Sequence, residues 1–165
     1  MKKLVLILIA IGAFSFSANA QEIADNAIGL RLGGSDGFGP EVNYQRALSD
    51  NNRLELGLGW RSNNDFDAFK LTGLYQWVWN IDGGFNWYAG PGAGIASVDY
   101  DDDFFDNDDR FDDSETYLFI AGDIGIEYNF DIPLLLSLDF RPEFGFGDYN
   151  DDVDFDIALG VRYQF

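Results

Sequence analysis

One segment concentrates the side chains best suited to binding a metal ion. DYDDDFFDNDDRFDDSE, residues 99 to 115, contains ten acidic residues and one basic residue. Carboxylate oxygens are the ligands that Ca²⁺ prefers, and an EF-hand loop also needs glycine at its sixth position and glutamate at its twelfth. Phe104 and Arg110 occupy those positions here, so the EF-hand pattern fails. The remaining prediction is a looser divalent-cation site with candidate ligands Asp99, Asp101, Asp103, Asp106 and Asp108. The alternative is a solvated surface loop.

Other reactive side chains are missing from the sequence. The chain has no histidine and no cysteine. A Ser-His-Asp triad, a cysteine nucleophile and a histidine metal ligand are therefore excluded. Two carboxylates could still act as an acid and a base, but the sequence singles out no such pair. We expect a protein that is not an enzyme and that needs no cofactor.

The first twenty residues resemble an export signal. MKKLVLILIAIGAFSFSANA has a basic start, an apolar run and a small-residue cleavage site, which predicts a signal peptide over 1–20 and a mature domain over 21–165. Removing Lys2 and Lys3 changes the formal charge from −19 to −21. Nucleic acid is not an expected partner, because phosphate binding needs a basic surface.

The rest of the chain alternates between apolar and small or polar residues at the period of a β-strand. Eight such segments are present, each about nine to thirteen residues long, which is the length that a tilted strand needs to cross a bilayer. The last segment has apolar residues at alternating positions from Val153 to Phe165. Short turns at 49–52, 82–84 and 131–133 alternate with longer links at 34–39, 62–67, 99–115 and 147–152. This order predicts an all-β, eight-stranded antiparallel up-and-down transmembrane β-barrel.

The second face of each strand indicates which way the barrel faces. That face carries glycine, alanine and charge, whereas a solvent-facing sheet is usually rich in Lys, Glu, Gln and Thr. Small residues and opposite charges fit the narrow interior of an eight-stranded barrel, which side chains are able to fill. We therefore predict an interior ion-pair network of Arg31, Arg53, Glu55, Lys70, Asp123, Glu127, Asp139, Arg141, Glu143, Asp156 and Arg162. Glu41 and Asp154 belong to the same face.

Aromatic residues cluster near the predicted periplasmic strand ends, where membrane barrels carry aromatic girdles. Together with the final sequence GVRYQF, this pattern resembles the small OmpA/OmpX-type outer-membrane barrels of Gram-negative envelopes. The resemblance implies an outer-membrane location and contact with membrane lipid and lipopolysaccharide. It also implies that Val161, Tyr163 and Phe165 form the signal that the barrel-assembly machinery reads.

Several functions stay open on the sequence alone. The leading prediction is a structural or surface-interaction role, with acidic external loops. A secreted soluble barrel of the lipocalin kind, which binds an apolar ligand inside, would show the same alternation with the apolar face turned inward. A small pore or a membrane enzyme is a further alternative. Barrels that resemble lipid A deacylases or omptin proteases rely on histidine, which this chain lacks. A side-chain-filled lumen leaves little path for ions.

Overall fold

The computed structural model describes residues 23–34, 39–62, 66–100, 114–146 and 153–165. In these residues eight antiparallel strands follow one another around a single closed barrel, and the last strand pairs with the first. The strands are β1 (Asn26–Leu32), β2 (Pro40–Ser49), β3 (Asn52–Ser62), β4 (Phe66–Asp82), β5 (Phe85–Tyr100), β6 (Ser114–Asn129), β7 (Leu134–Phe146) and β8 (Val153–Gln164). The predicted all-β, up-and-down barrel is confirmed. The predicted signal peptide lies outside the described residues.

The two faces of the sheet have opposite chemistry. Large apolar side chains cover the outside of every strand, for example Leu30 on β1, Ile124 on β6 and Ile157 on β8, which is 62% exposed. Arginine, lysine and carboxylates face inward and are buried. Water-soluble proteins show the reverse arrangement. The lipocalin-like alternative is therefore wrong, because its apolar face would point into the barrel.

The predicted strand lengths need correction for half of the strands. β1 has only seven residues, whereas β4, β5 and β6 have 17, 16 and 16. The extra length comes from residues that we expected in loops. Ser62 pairs with Asp67 across β3 and β4, and Asp99 pairs with Ser114 across β5 and β6. The predicted links at 62–67 and 99–115 are therefore shorter in the structure.

A reversal of the two faces explains why the sequence misplaced these strand ends. Beyond Phe69 the outward residues become polar, and Ser97 and Thr116 on the outer surface lie 3.1 Å apart through their hydroxyl oxygens. At the same level the inward residues become apolar. The buried apolar cluster of Ala68, Leu74, Ala96, Phe119 and Ala121 begins there and reaches down into the band, where Leu74 pairs with Glu55. The sheet therefore continues above the apolar band as an ordinary soluble sheet with an apolar inner side.

The outer apolar band has the height of a bilayer core. On β4 it runs from Phe69 to Trp79, and both side chains are exposed. Ten residue steps at about 3.3 Å each span about 33 Å along the strand, which a tilt of about 40° reduces to about 25 Å. Outer-membrane barrels have an apolar band of about 25 Å.

The short connections lie at one end of the barrel, and their residues suit tight turns. Gly83 follows β4 with a φ of 52°, in the left-handed region that favours glycine. Its neighbour Asn80 donates a side-chain hydrogen bond to the Gly83 carbonyl oxygen at 3.0 Å. The start of β1 and the C-terminal residue Phe165 lie together at this same rim, because the backbone amide of Asn26 donates to the carbonyl of Phe165 at 3.1 Å.

Candidate functional site: the charged barrel interior

The interior of the barrel contains charged side chains from seven of its strands. Five cationic and seven anionic side chains are buried, so the formal interior charge is 5 − 7 = −2. Desolvated charges are costly unless they are paired and hydrogen-bonded, so the pairing of these groups decides whether the barrel is stable. The buried charged residues are Arg31, Glu41, Arg53, Glu55, Lys70, Asp123, Glu127, Asp139, Arg141, Glu143, Asp156 and Arg162.

Arg31 is the centre of the largest cluster. Its Nη1 donates to Glu41 Oε1 at 2.8 Å and to Asp156 Oδ2 at 2.6 Å. Its Nε and Nη2 both donate to Asp139 Oδ1, at 2.9 and 2.5 Å. The planar guanidinium group suits this role because it presents five donors in a fixed geometry. One side chain on the shortest strand thus ties β1 to β2, β7 and β8.

Glu55 on β3 joins two further arginines. Its Oε1 accepts from Arg141 Nη2 at 3.3 Å, and its Oε2 accepts from Arg162 Nη2 at 3.2 Å. Arg162 also donates to Asn43 Oδ1 at 3.1 Å and to Ser137 Oγ at 2.6 Å. Arg141 Nη1 donates to Glu41 as well, at 3.1 Å, so this group is continuous with the cluster around Arg31.

Arg53 occupies the half of the lumen nearer the short turns. Its Nη2 forms an ion pair with Glu127 Oε2 at 2.7 Å. Its guanidinium carbon lies 4.7 Å from the centroid of the Tyr88 ring, in a cation–π contact. A Cβ atom at Gly125 would come within 2.5 Å of the Tyr88 hydroxyl, so glycine makes room for this ring.

Lys70 marks the outer end of the charged interior. Its Nζ donates to Glu143 Oε1 at 2.7 Å and lies 5.3 Å from the centroid of the Phe119 ring. Phe119 belongs to the apolar cluster above it. The lumen therefore changes from ion pairs to apolar packing toward the longer loops.

All eleven residues of the predicted interior set are buried inside the barrel and take part in the contacts above or in the Asp123 contacts given below. The predicted set omitted Glu41, which contacts both Arg31 and Arg141. It also omitted the buried side chains of Tyr88, Gln76 and Gln45. Strand alternation places all four side chains on the inward face, so the sequence already contained the information needed to include them.

The charged groups of the described interior are arranged as ion pairs between strands. Each interior arginine and lysine faces a carboxylate, and an ion pair of this kind holds strands together without activating a nucleophile. Among the described residues, no group of three or more acidic side chains is placed to hold a metal ion. No described helix is long and apolar enough to cross a membrane.

Comparison with known proteins identifies the fold. No protein-family model matches the chain, and no curated protein matches it. Neisserial surface protein A (NspA) aligns with a TM-score of 0.62 and 12% identity over 85% of this chain and 94% of its own. Ail, the attachment invasion locus protein of Yersinia pestis, aligns with a TM-score of 0.57 and 17% identity over 85% of this chain and 96% of its own. The N-terminal β-barrel domain of Pseudomonas aeruginosa OprF aligns with a TM-score of 0.57 and 17% identity over 87% of this chain and all of its own (100%).

These three proteins are eight-stranded outer-membrane barrels. The chain has the OmpA/OmpX-type barrel fold. This fold and the apolar exterior together support the predicted outer-membrane location.

The aromatic side chains of this OmpA/OmpX-type barrel lie at the depth that the sequence predicted. Near the short turns, the rings of Trp79 and Trp87 stack with centroids 4.2 Å apart. Tyr128 contacts Phe130 in an edge-to-face arrangement with centroids 4.7 Å apart. Such rings prefer the boundary between acyl chains and headgroups. They mark the periplasmic edge of the membrane band.

The three residues of the predicted assembly signal lie on the outer surface of β8. Val161, Tyr163 and Phe165 are 43%, 57% and 60% exposed. The rings of Tyr163 and Phe165 stack with centroids 6.1 Å apart. They therefore face away from the ion-pair network, next to the seam between β8 and β1. Their role in assembly stays a prediction.

The predicted cation site falls almost entirely outside the described residues. Asp99 belongs to β5, near the strand end, and its backbone pairs with Asp67 and Ser114. Asp101, Asp103, Asp106 and Asp108 lie in the segment 101–113, outside the described residues. A divalent-cation site in this segment stays a prediction.

Proposed function

We propose that the chain is a non-enzymatic integral outer-membrane protein with a surface-interaction role, in which a rigid closed barrel holds acidic loops outside the cell. The observation that carries this proposal is the distribution of charge. The barrel wall is apolar outside, and ion pairs fill its interior. Most of the remaining charge lies in the longer connections at one end.

The acidic charge is strongly asymmetric along the barrel axis. The segments 34–39, 62–67, 99–115 and 147–152 contain sixteen acidic residues and one basic residue, Arg110. The short turns at the other rim, 49–52, 82–84 and 131–133, contain three acidic residues. A concentrated negative field attracts cations and cationic surfaces and repels polyanions. The external partner should therefore be cationic, or should be reached through bound cations.

The charge also separates this chain from one of its structural relatives. A structure of Ail holds the heparin analogue sucrose octasulfate, which is a polyanion. With a formal charge of −19, this chain is not suited to a ligand of that kind. We propose instead that divalent cations bridge the loop carboxylates to phosphate groups of lipopolysaccharide in the surrounding leaflet.

The export and assembly signals complete the proposal. Residues 1–20 are removed on export, and the outward side chains of Val161, Tyr163 and Phe165 are read by the barrel-assembly machinery. The mass of the protein recovered from membranes tests the first point, because cleavage after Ala20 leaves a chain that begins at Gln21.

Membrane fractionation of the expressed protein, followed by gel migration with and without boiling in detergent, tests the location and the fold together. We expect recovery in the outer-membrane fraction and a heat-modifiable band. Recovery in the soluble fraction with no shift in mobility would contradict the proposal.

Association with lipopolysaccharide tests the partner. Barrels in phospholipid vesicles should bind added lipopolysaccharide in millimolar Mg²⁺ and release it when EDTA is added. The matched variant replaces Asp101, Asp103, Asp106 and Asp108 with Asn, which leaves every described strand unchanged. Equal binding by the variant would exclude these four carboxylates as the contact, whereas the barrel fold would be unaffected.

A further inference from the structure

Two prolines lie on one row of the sheet, in the middle of the membrane-spanning wall. The strand registers place Tyr75 of β4, Pro91 of β5, Gly122 of β6 and Pro142 of β7 side by side along the hydrogen-bonding direction. All four belong to the outer, lipid-facing set of positions, and a Cβ atom at Gly122 would lie 3.3 Å from the Pro142 ring. Proline has no backbone N–H, so it removes a rung wherever the ladder would need that donor.

The ladder is interrupted at both prolines. Between β4 and β5, pairing stops after Leu74 with Gly92 and resumes at Trp77 with Ala89. Between β6 and β7, it stops after Ala121 with Glu143 and resumes at Ile124 with Phe140. In both places the register continues without a shift, so no residue has been inserted, and each proline removes one backbone donor from the ladder.

The β5–β6 hairpin is thus attached more weakly than its length suggests. Its two strands pair with each other without a gap from Phe85 with Tyr128 to Asp99 with Ser114. Each outer edge of the hairpin, however, has an interruption at the same height. Lipid cannot replace a missing backbone hydrogen bond. The row of Tyr75, Pro91, Gly122 and Pro142 therefore destabilises the membrane-spanning wall unless side chains link the strands there.

A chain of polar side chains runs directly behind this row, inside the lumen. Arg53 Nε donates to Gln76 Oε1 at 2.6 Å, and Gln76 Nε2 donates to Asp123 Oδ2 at 2.5 Å. Asp123 Oδ1 then lies 3.9 Å from Arg141 Nε in an ion pair. These residues are the inward neighbours of Leu54, Tyr75, Gly122 and Pro142.

The link between Gln76 and Asp123 crosses a whole strand. Gln76 belongs to β4 and Asp123 to β6, and Gly90 of β5 lies between them in the register. A Cβ atom at Gly90 would overlap the Tyr75 carbonyl oxygen, so only glycine lets the strands approach here. The hydrogen bond therefore ties β4 to β6 at the height where β4 and β5 have lost their rungs.

We propose that the row of Tyr75, Pro91, Gly122 and Pro142 is a built-in hinge line of the barrel wall, and that the lumenal chain Gln76–Asp123–Arg141 holds this line closed. The chain replaces the backbone hydrogen bonds that the two prolines remove. Gln76 and Asp123 are then positioning residues for the β5–β6 hairpin. When the chain is broken, the hairpin should open along the row without general unfolding.

Amide-resolved hydrogen exchange of the folded barrel in detergent micelles tests this proposal. Gln76→Met keeps the length of the side chain and removes its hydrogen bonds to Arg53 and Asp123, together with a longer one to Glu55 Oε2 at 3.4 Å. We expect amide exchange in 74–77 and 121–124 to accelerate roughly tenfold, because losing a buried hydrogen bond to a charged group costs about that factor or more.

Gln45→Met provides the matched control. Gln45 Nε2 also donates to a buried carboxylate, Glu55 Oε2, at 2.6 Å, but Gln45 and Glu55 are direct neighbours in an unbroken ladder. We expect less than roughly a threefold change around Gln45, because the backbone rungs hold those strands. Equal local acceleration in the two variants would overturn the proposal.

Pro142→Ala gives a second, independent test that leaves the polar chain intact. It restores a backbone donor opposite Gly122, so exchange in 121–124 should slow by roughly threefold or more if the row is a hinge. Unchanged exchange in this variant would also overturn the proposal, even if Gln76→Met failed to fold.

Discussion

Removal of Arg31 is the sharpest test of how the barrel is held together. Arg31 is the only charged side chain on β1, and it contacts Glu41, Asp139 and Asp156 at distances between 2.5 and 2.8 Å. Arg31→Met keeps the length of the side chain and removes every one of these contacts. It also changes the formal interior charge from −2 to −3, because the cations fall from five to four against seven carboxylates.

The expected cost follows from the burial of the three carboxylates. Removing one partner of a buried ion pair typically destabilises a protein by about 3–5 kcal/mol, because the other charge stays desolvated. Glu41 keeps a second partner in Arg141, and Asp156 still accepts a hydrogen bond from the Gly34 backbone amide at 3.2 Å, so the loss falls mainly on Asp139. We therefore expect Arg31→Met to lower the free energy of unfolding by about 4 kcal/mol, a change of roughly a thousandfold in the folding equilibrium.

Urea unfolding of the barrel in lipid vesicles measures this difference. The four tryptophans report the transition by fluorescence, and the heat-modifiable gel band reports the folded fraction. Arg31→Lys should lower the free energy of unfolding by about 1–2 kcal/mol, because lysine keeps the charge but lacks the planar guanidinium group. Arg46→Met is the matched control, since Arg46 is exposed and donates only to Asn26 at 3.3 Å. It should change stability by less than about 0.5 kcal/mol.

Two results would refute this reasoning. A loss below about 1 kcal/mol for Arg31→Met would mean that the carboxylates are solvated and that the interior is wet enough to screen them. Equal losses for Arg31→Met and Arg46→Met would mean that the position of the charge inside the barrel is irrelevant.

Three further predictions test other parts of the barrel. Gly125→Val should lower the yield of refolded, heat-modifiable barrel severalfold, because its side chain would overlap Tyr88; normal refolding would show that the ring is free to move away. Lys70→Met should lower the free energy of unfolding by about 3 kcal/mol in urea, whereas Lys70→Met/Glu143→Leu should recover most of that loss, because both members of the Lys70–Glu143 pair are then removed together. An equal cost for the single and double variants would contradict a buried pair. Phe165→Ala should reduce the amount of barrel assembled in cells, and it should change the refolding yield of the purified chain by less than about twofold, since the exposed ring contributes little to the fold. Equal losses in both assays would show that Phe165 contributes to stability and not to recognition.

Much of the architecture could be predicted from single segments of sequence. The alternation along β3, β7 and β8 assigned each residue to a face, because strand geometry turns successive side chains to opposite sides. The ends of β4, β5 and β6 could not be predicted, because the two faces exchange polarity above Phe69. A strand predicted from its apolar outer face ends where that face becomes polar, at the edge of the membrane, whereas the hydrogen-bonded sheet continues beyond it.

The interior also shows where sequence reasoning stops. That Arg31 and Asp139 share the inward face follows from alternation, but they are 108 residues apart and their contact at 2.5 Å depends on closure of the barrel. The same holds for Gln76 and Asp123, which meet across an intervening strand. No local pattern encodes such a pair, because it depends on the stagger of all the strands between them.

The sequence by itself therefore determined the eight strands, the two faces, the order of short and long connections and the acidity of the longer connections. Each of these properties is set by neighbouring residues. The composition of the second face also indicated that the apolar face points outward, and the structure confirmed it. The tertiary structure alone decided which charge meets which, and that two prolines fall on one row. The physical reason is that closing the barrel brings distant strands into register and moves charges out of water, where the energy of each depends on the partners it meets there.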